Sequence, residues 1–157
     1  TPLQMAAALS AILNGGTYWR PTLVERVVDP LGKVELQKPE ALRTGVVKPE
    51  VGLQLKSILE YSVAHHSFKI PFPSNFSVGG KTGTAQITNP SGGYFDDRFN
   101  GTYVGFVGGD KVQYVIVVRV NEPRGVKYAG SGAAQPIFGD LAHMLIDNFN
   151  VVPKSGG

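Results

Sequence analysis

Apolar and polar positions change rhythm several times along the 157 residues. Leu3, Ala6, Ala7, Leu9, Ile12 and Leu13 recur at helical spacing and give a broad apolar face. They predict a helix over 1–14, with Thr1 as N-cap, Pro2 at the first helical position and Gln4 closing a Thr-x-x-Gln capping box. Gly15-Gly16 ends it. Its alanines predict close packing against another element. Val24, Val27 and Val28, then Val34 and Leu36, flank the turn residues Asp29-Pro30-Leu31-Gly32-Lys33 and predict a hairpin over 22–36. Residues 37–47 read as a loop. Pro49, with Val51, Leu55, Ile58 and Leu59 behind it, predicts a helix over 49–64. Residues 65–77 carry aromatics and prolines without a period and read as loop.

Strand patterns follow. Gly80–Gln86 and Thr102–Gly108 are candidates, and Val112–Val120, rich in β-branched residues, is the clearest strand of the chain. Between the first two lie about 15 polar, Gly-rich residues, "ITNPSGGYFDDRFNG", which read as a long loop. Gly108-Gly109-Asp110-Lys111 predicts a tight hairpin. A final helix is predicted over 133–149, with Pro136 in its first turn and Ile137, Phe138, Leu141, Leu145 and Ile146 as its stripe. The tail from 153 reads as frayed. Strands joined by hairpins and flanked by helices define an α+β class, an antiparallel sheet covered by helices.

Composition narrows this without redirecting it. A chain that is 42% hydrophobic and 17% charged can bury a core. The net charge of +3 is scattered, so no nucleic-acid footprint is read. The absence of cysteine excludes disulfides, thiolate metal sites and thiol catalysis. No apolar run approaches the roughly 20 residues needed to span a bilayer.

Candidate chemistry centres on "FSVGGKTGTAQ", residues 76–86. Gly80-Lys81-Thr82 matches the tail of a phosphate-binding loop. That motif also needs a glycine where Asn75 stands and a helix after the threonine, and a strand-like stretch follows instead. In an extended strand Lys81, Gly83 and Ala85 share one face and Thr82 and Thr84 the other. Gly83 lets a ligand lie against the backbone, and an edge strand offers unpaired N–H and C=O groups to a peptide. Lys81 adds positive charge, and the threonine hydroxyls can donate to a carboxylate. A Gly-rich strand with a solvated lysine is the other reading these residues allow.

Gly80-Lys81-Thr82-Gly83-Thr84-Ala85 resembles the Lys-Thr-Gly signature of penicillin-binding proteins and serine β-lactamases. Thr1–Ala6, "TYVGFVGGD", "YVIVVRVNEPR" and "YAGSGAAQPIFGDLAHMLI" resemble further elements of class B penicillin-binding proteins, in the same order. The resemblance implies a peptidoglycan D,D-transpeptidase segment of 1–157. Its partners would be a stem peptide ending in D-Ala-D-Ala, β-lactams, the remainder of the same domain, and proteins of cell division or elongation. It implies catalytic roles for Lys81 and Thr84 and substrate-binding roles for Thr82, Gly83, Thr84 and Gln86, with no metal or cofactor. The Thr84 N–H becomes one oxyanion donor. The whole protein is expected at the extracytoplasmic face of the bacterial membrane, anchored by an N-terminal helix.

No serine here has Lys three residues on or Asn two residues on, so the Ser-x-x-Lys and Ser-x-Asn signatures do not occur. The chain is therefore expected to be the C-terminal part of a transpeptidase domain, inactive alone and exposing apolar surface where the upstream part packs. A β-lactam-hydrolysing or β-lactam-sensing relative and a non-catalytic module of the same fold stay open. His65-His66 and His143 read as loop, packing or surface residues. Tyr18 and Trp19 read as core or surface cover. Tyr94 and Phe95 read either as a substrate gate or as part of a solvated loop. The resemblance turns the 22–36 hairpin away from the site, and Tyr128–Gly132 are expected to pack tightly or flank the cleft.

Overall fold

The structure is a computed structural model that describes residues 1–66, 68–125 and 129–156. Among these, α1 (Pro2–Leu13), β1 (Tyr18–Trp19), β2 (Arg26–Val28), β3 (Val34–Leu36), β4 (Ala41–Arg43), α2 (Pro49–Ala64), β5 (Ser77–Thr88), β6 (Tyr94–Gly108), β7 (Val112–Asn121) and α3 (Gly130–Asn148) follow in order. The capping box of α1 is made in full: Thr1 Oγ1 accepts from Gln4 N–H, and Gln4 Oε1 takes the terminal ammonium at 2.8 Å.

Strands β5, β6 and β7 form an antiparallel sheet in that order, with β5 at one edge. The alternation of β6 divides the core between two layers. Tyr103, Val107 and Val118 pack against Ala134, Phe138 and Ala142 of α3. Phe106, on the opposite face, packs against Leu9 of α1 and Leu59 of α2. Tyr103, Phe106 and Phe138 are completely buried, each worth about 1.5–3 kcal/mol of apolar burial. The α+β class is as expected. Apolar surface remains on the helices: Leu3 and Met5 of α1 and Leu53 and Ile58 of α2 stand well exposed.

Several boundaries differ from the reading of the sequence. The polar stretch 87–101 is not a loop: β5 runs to Thr88 and β6 starts at Tyr94, so most of it is a projecting ribbon. Asn89 and Gly93 close the turn, with Gly92 and Gly93 at φ 109° and 69°. Both ribbon faces are largely in water, so no apolar period marks the strands. Residues 37–47 hold β4, which pairs with β1; Trp19 sits there 44% exposed, on the surface. Helix α3 begins at Gly130, which moves Pro136 beyond the first turn, with no N–H for the fourth carbonyl before it. The tail from 153 is not loose as far as Ser155. Lys154 N–H donates to Asn75 O at 2.8 Å, and Ser155 N–H and hydroxyl both donate to Asp110 Oδ2. Tyr128 lies outside the described residues.

Candidate functional site

Strand β5 can approach the core because it lacks side chains where the sheet is tightest. A Cβ on Gly79 would collide with the Phe106 ring, and one on Gly80 with the Tyr103 ring. From Lys81 onward the strand comes out of the core and its residues become exposed. Lys81 lies opposite Val104, Thr82 opposite Tyr103, Gly83 opposite Thr102 and Thr84 opposite Gly101. Thr82 and Thr84 therefore share the α3 face, and Lys81 and Gly83 the other. A groove of 290 Å³ runs along this stretch, lined by Lys81–Ala85 with Thr102 and Val104 of β6 and Met5 of α1.

Two hydrogen bonds fix what the hydroxyls can offer. The Lys81 ammonium bends back over the strand and donates to Thr82 Oγ1 at 3.1 Å and to Thr82 O at 3.2 Å. The Gly130 N–H, at the start of α3, donates to Thr84 Oγ1 at 2.9 Å. Each threonine oxygen accepts one of these bonds and neither hydroxyl donates to another group among the described residues, so both can donate to a ligand. Two O–H donors on one face beside an ammonium suit a carboxylate, with charge assistance from Lys81. Gly130 seats tightly: a Cβ there would run into the carbonyl oxygens of Gly83 and Thr102. Sequence reasoning named Lys81, Thr82, Gly83 and Thr84, and the structure brings them together. It did not find Met5, Thr102 or Val104. Gly130 lies in the Tyr128–Gly132 stretch expected to pack tightly or flank the cleft, and it does pack tightly; its bond to Thr84 uses a backbone N–H, which carries no side-chain signal. Gln86, outside the groove, turns its amide to Phe95 O across the ribbon at 3.5 Å.

Among the remaining candidates, His65, His143 and Phe95 have structural partners. His65 ends α2, stacking on Tyr61 at 3.9 Å with Nδ1 at 2.8 Å from Tyr61 O. His143 stacks on Phe72 at 4.6 Å and reaches Ile70 O at 3.1 Å. Arg98 forks onto Glu122 at 2.6 and 2.9 Å and lies over Phe95, while Tyr94 is exposed. No cluster of metal-ligating side chains occurs among the described residues.

Fold and groove together define an α+β unit with an edge strand, along which Lys81 reaches over from one face to the Thr82 hydroxyl on the other. The sequence model of the penicillin binding protein transpeptidase domain matches residues 1–143, and the chain belongs to this family. Stage V sporulation protein D of Bacillus subtilis is 32% identical over 155 residues, covering 98% of this chain and 24% of its own length. The peptidoglycan D,D-transpeptidase FtsI of Escherichia coli is 28% identical, covering 99% and 24%. Penicillin-binding protein 3 of Mycobacterium tuberculosis, solved with ampicillin, superposes with a TM-score of 0.79 at 29% identity, over 100% of this chain and 36% of that one. The chain thus spans about a quarter of the length of the two curated relatives.

Proposed function

We propose that this chain supplies the β5 wall of a peptidoglycan D,D-transpeptidase site. An extended stem peptide ending in D-Ala-D-Ala lies along the open edge of β5. Its terminal carboxylate takes the hydroxyl hydrogens of Thr82 and Thr84. Lys81 supplies positive charge and a proton link toward the serine of the missing Ser-x-Asn signature. The Thr84 N–H gives one oxyanion donor, Gly83 keeps the strand open to close approach, and Gln86 extends the edge. The nucleophilic serine comes from the rest of the same domain, because no Ser-x-x-Lys occurs in these residues. Acyl transfer needs that nucleophile, so the chain alone is inactive. A β-lactam carboxylate meets the same two hydroxyls.

The observation that carries this reading is the pair of hydrogen bonds that leaves both threonine hydroxyls able to donate to a ligand beside Lys81. Family membership supports it, as does the relative solved with ampicillin. No described helix is long and apolar enough to cross a membrane. The proposed substrate puts the whole protein at the extracytoplasmic face of the bacterial membrane, among proteins of cell division or elongation.

The test is fluorescent-penicillin labelling of the full-length protein. Thr84→Val, which keeps the shape and removes the hydroxyl, should slow acylation about 10- to 100-fold, the range for a hydrogen bond to a charged group. Labelling at the unaltered rate would sink the carboxylate role. Rapid loss of the label after acylation would move the chain toward a hydrolysing or sensing relative.

A further inference from the structure

Two polar atoms sit buried without a hydrogen-bond partner, His66 Nδ1 and Tyr103 Oη, and they belong to neighbouring rings. The rings meet edge to face, with centroids 6.3 Å apart. Tyr103 has no exposed surface, and its hydroxyl lies against Gly80, the residue before Lys81. Burying either atom unpaired costs about 1–3 kcal/mol, which a packed core rarely carries twice in one place without a use. The two atoms are chemically complementary: a phenol donates, and the bare nitrogen of a neutral imidazole accepts.

We propose that His66 and Tyr103 are a positioning pair behind Lys81, in which Tyr103 Oη donates to one buried water that in turn donates to His66 Nδ1, and so pins His66, just after α2, against the sheet. The inference rests on the transpeptidase reading above, because what the pair positions is the Lys81–Thr82 wall. The tautomer follows: His66 carries its proton on Nε2 and must stay neutral to accept. Every packed element bears on that charge state. The Tyr103 ring of β6 meets His66, the Lys81 charge of β5 is felt there, Glu60 of α2 and Lys154 of the C-terminal segment line the same 610 Å³ cavity, and α3 packs the Phe138 ring 4.4 Å from that of Tyr103. Burial first, and the Lys81 charge second, hold His66 below its ordinary value; burial pushes the Tyr103 phenol up, so it remains a donor. The folded imidazole is harder to protonate than the unfolded one. The pair therefore stabilises fully above the ordinary histidine range, and its contribution is lost as pH falls through it.

The test combines a double-mutant cycle on melting temperature with penicillin acylation of the full-length protein between pH 5 and 8. Tyr103→Phe and His66→Phe should each lower the melting temperature, and the double variant should lose no more than either alone. Each should slow acylation about tenfold, the scale of one hydrogen bond. His66→Asn, which keeps an acceptor near the Nδ1 position and cannot protonate, should restore the rate and flatten the acid limb. A rise in melting temperature for Tyr103→Phe, with unchanged acylation and pH profile, would overturn the pair, because removing a merely orphaned hydroxyl relieves strain. An unlabelled wild type would overturn the transpeptidase reading instead, and the thermal cycle would still decide the pair.

Discussion

Two regions of this chain are built from the same valine-rich vocabulary and end in opposite states. In the β5–β6–β7 sheet, Val107 and Val118 lie buried between helices. In the β2–β3 hairpin, Val27, Val28 and Val34 pair across the strands in regular register and remain about half exposed. β-Branched residues make both segments extended, and the Asp29 carboxylate caps the hairpin turn by accepting from Leu31 and Lys33 N–H. What separates them is cover. The sheet has α3 on one face and α1 and α2 on the other, whereas the hairpin carries exposed residues throughout both strands. Local propensity decides conformation here, and tertiary cover decides energy.

That contrast can be pressed from the sheet side first. Phe138→Ala should cost about 3–5 kcal/mol in chemical denaturation, since it empties the centre of the α3 layer. A loss below about 1 kcal/mol would mean that the layers are loosely joined. Gly130→Ala comes next, at about 1–3 kcal/mol, because its methyl group meets the Gly83 and Thr102 carbonyls. In the full-length protein it should also slow penicillin acylation by moving the N–H that orients Thr84. A stability loss without an acylation change would separate packing from positioning.

Smaller effects belong to the surface. The hydrogen bond from Arg98, ahead of its charge, holds the Glu122 carboxyl below the usual carboxylate range. The unfolded chain binds that proton more readily, so the pair supports the fold above the ordinary carboxylate range and its contribution fades as pH falls. A carboxyl titration by NMR should show Glu122 protonating at lower pH than a free glutamate, and Arg98→Ala should return it. Smallest of all, Val27→Ala should stay within about 0.5 kcal/mol, the ordinary range for a surface site. A loss as large as that of a buried valine would show that the hairpin is covered in solution.

The legible parts of the fold were those where local chemistry and final environment agree. The capping box of α1, the Pro49 start of α2, the Val112 strand and the Gly108–Lys111 turn all fall there. The ribbon beyond Gln86 was hidden because strands wet on both faces show no apolar alternation. The start of α3 was hidden because Gly130-Ser131-Gly132 is poor helix sequence. Its seat is set by contacts with Gly83 and Thr84, about 46 residues away in the chain. The same reason limited the reading of the site. Lys81, Thr82 and Thr84 announce themselves as side chains, whereas the donor that aims Thr84 is a backbone group brought in by topology.

The last described residues have a mechanical meaning. Gln113 and Val152 exchange two hydrogen bonds, Lys154 is tied to Asn75, and Ser155 is tied to Asp110. These contacts grip the turn between β6 and β7 and the lead into β5. A load drawn through the chain beyond Ser155 is taken first by this clasp, as shear against the far end of the sheet. Helix α3, and with it the Gly130 contact at the groove, is shielded until the clasp lets go. A tether, a fused domain or a pulling handle at that end can therefore be strained without slackening the wall that Thr84 forms.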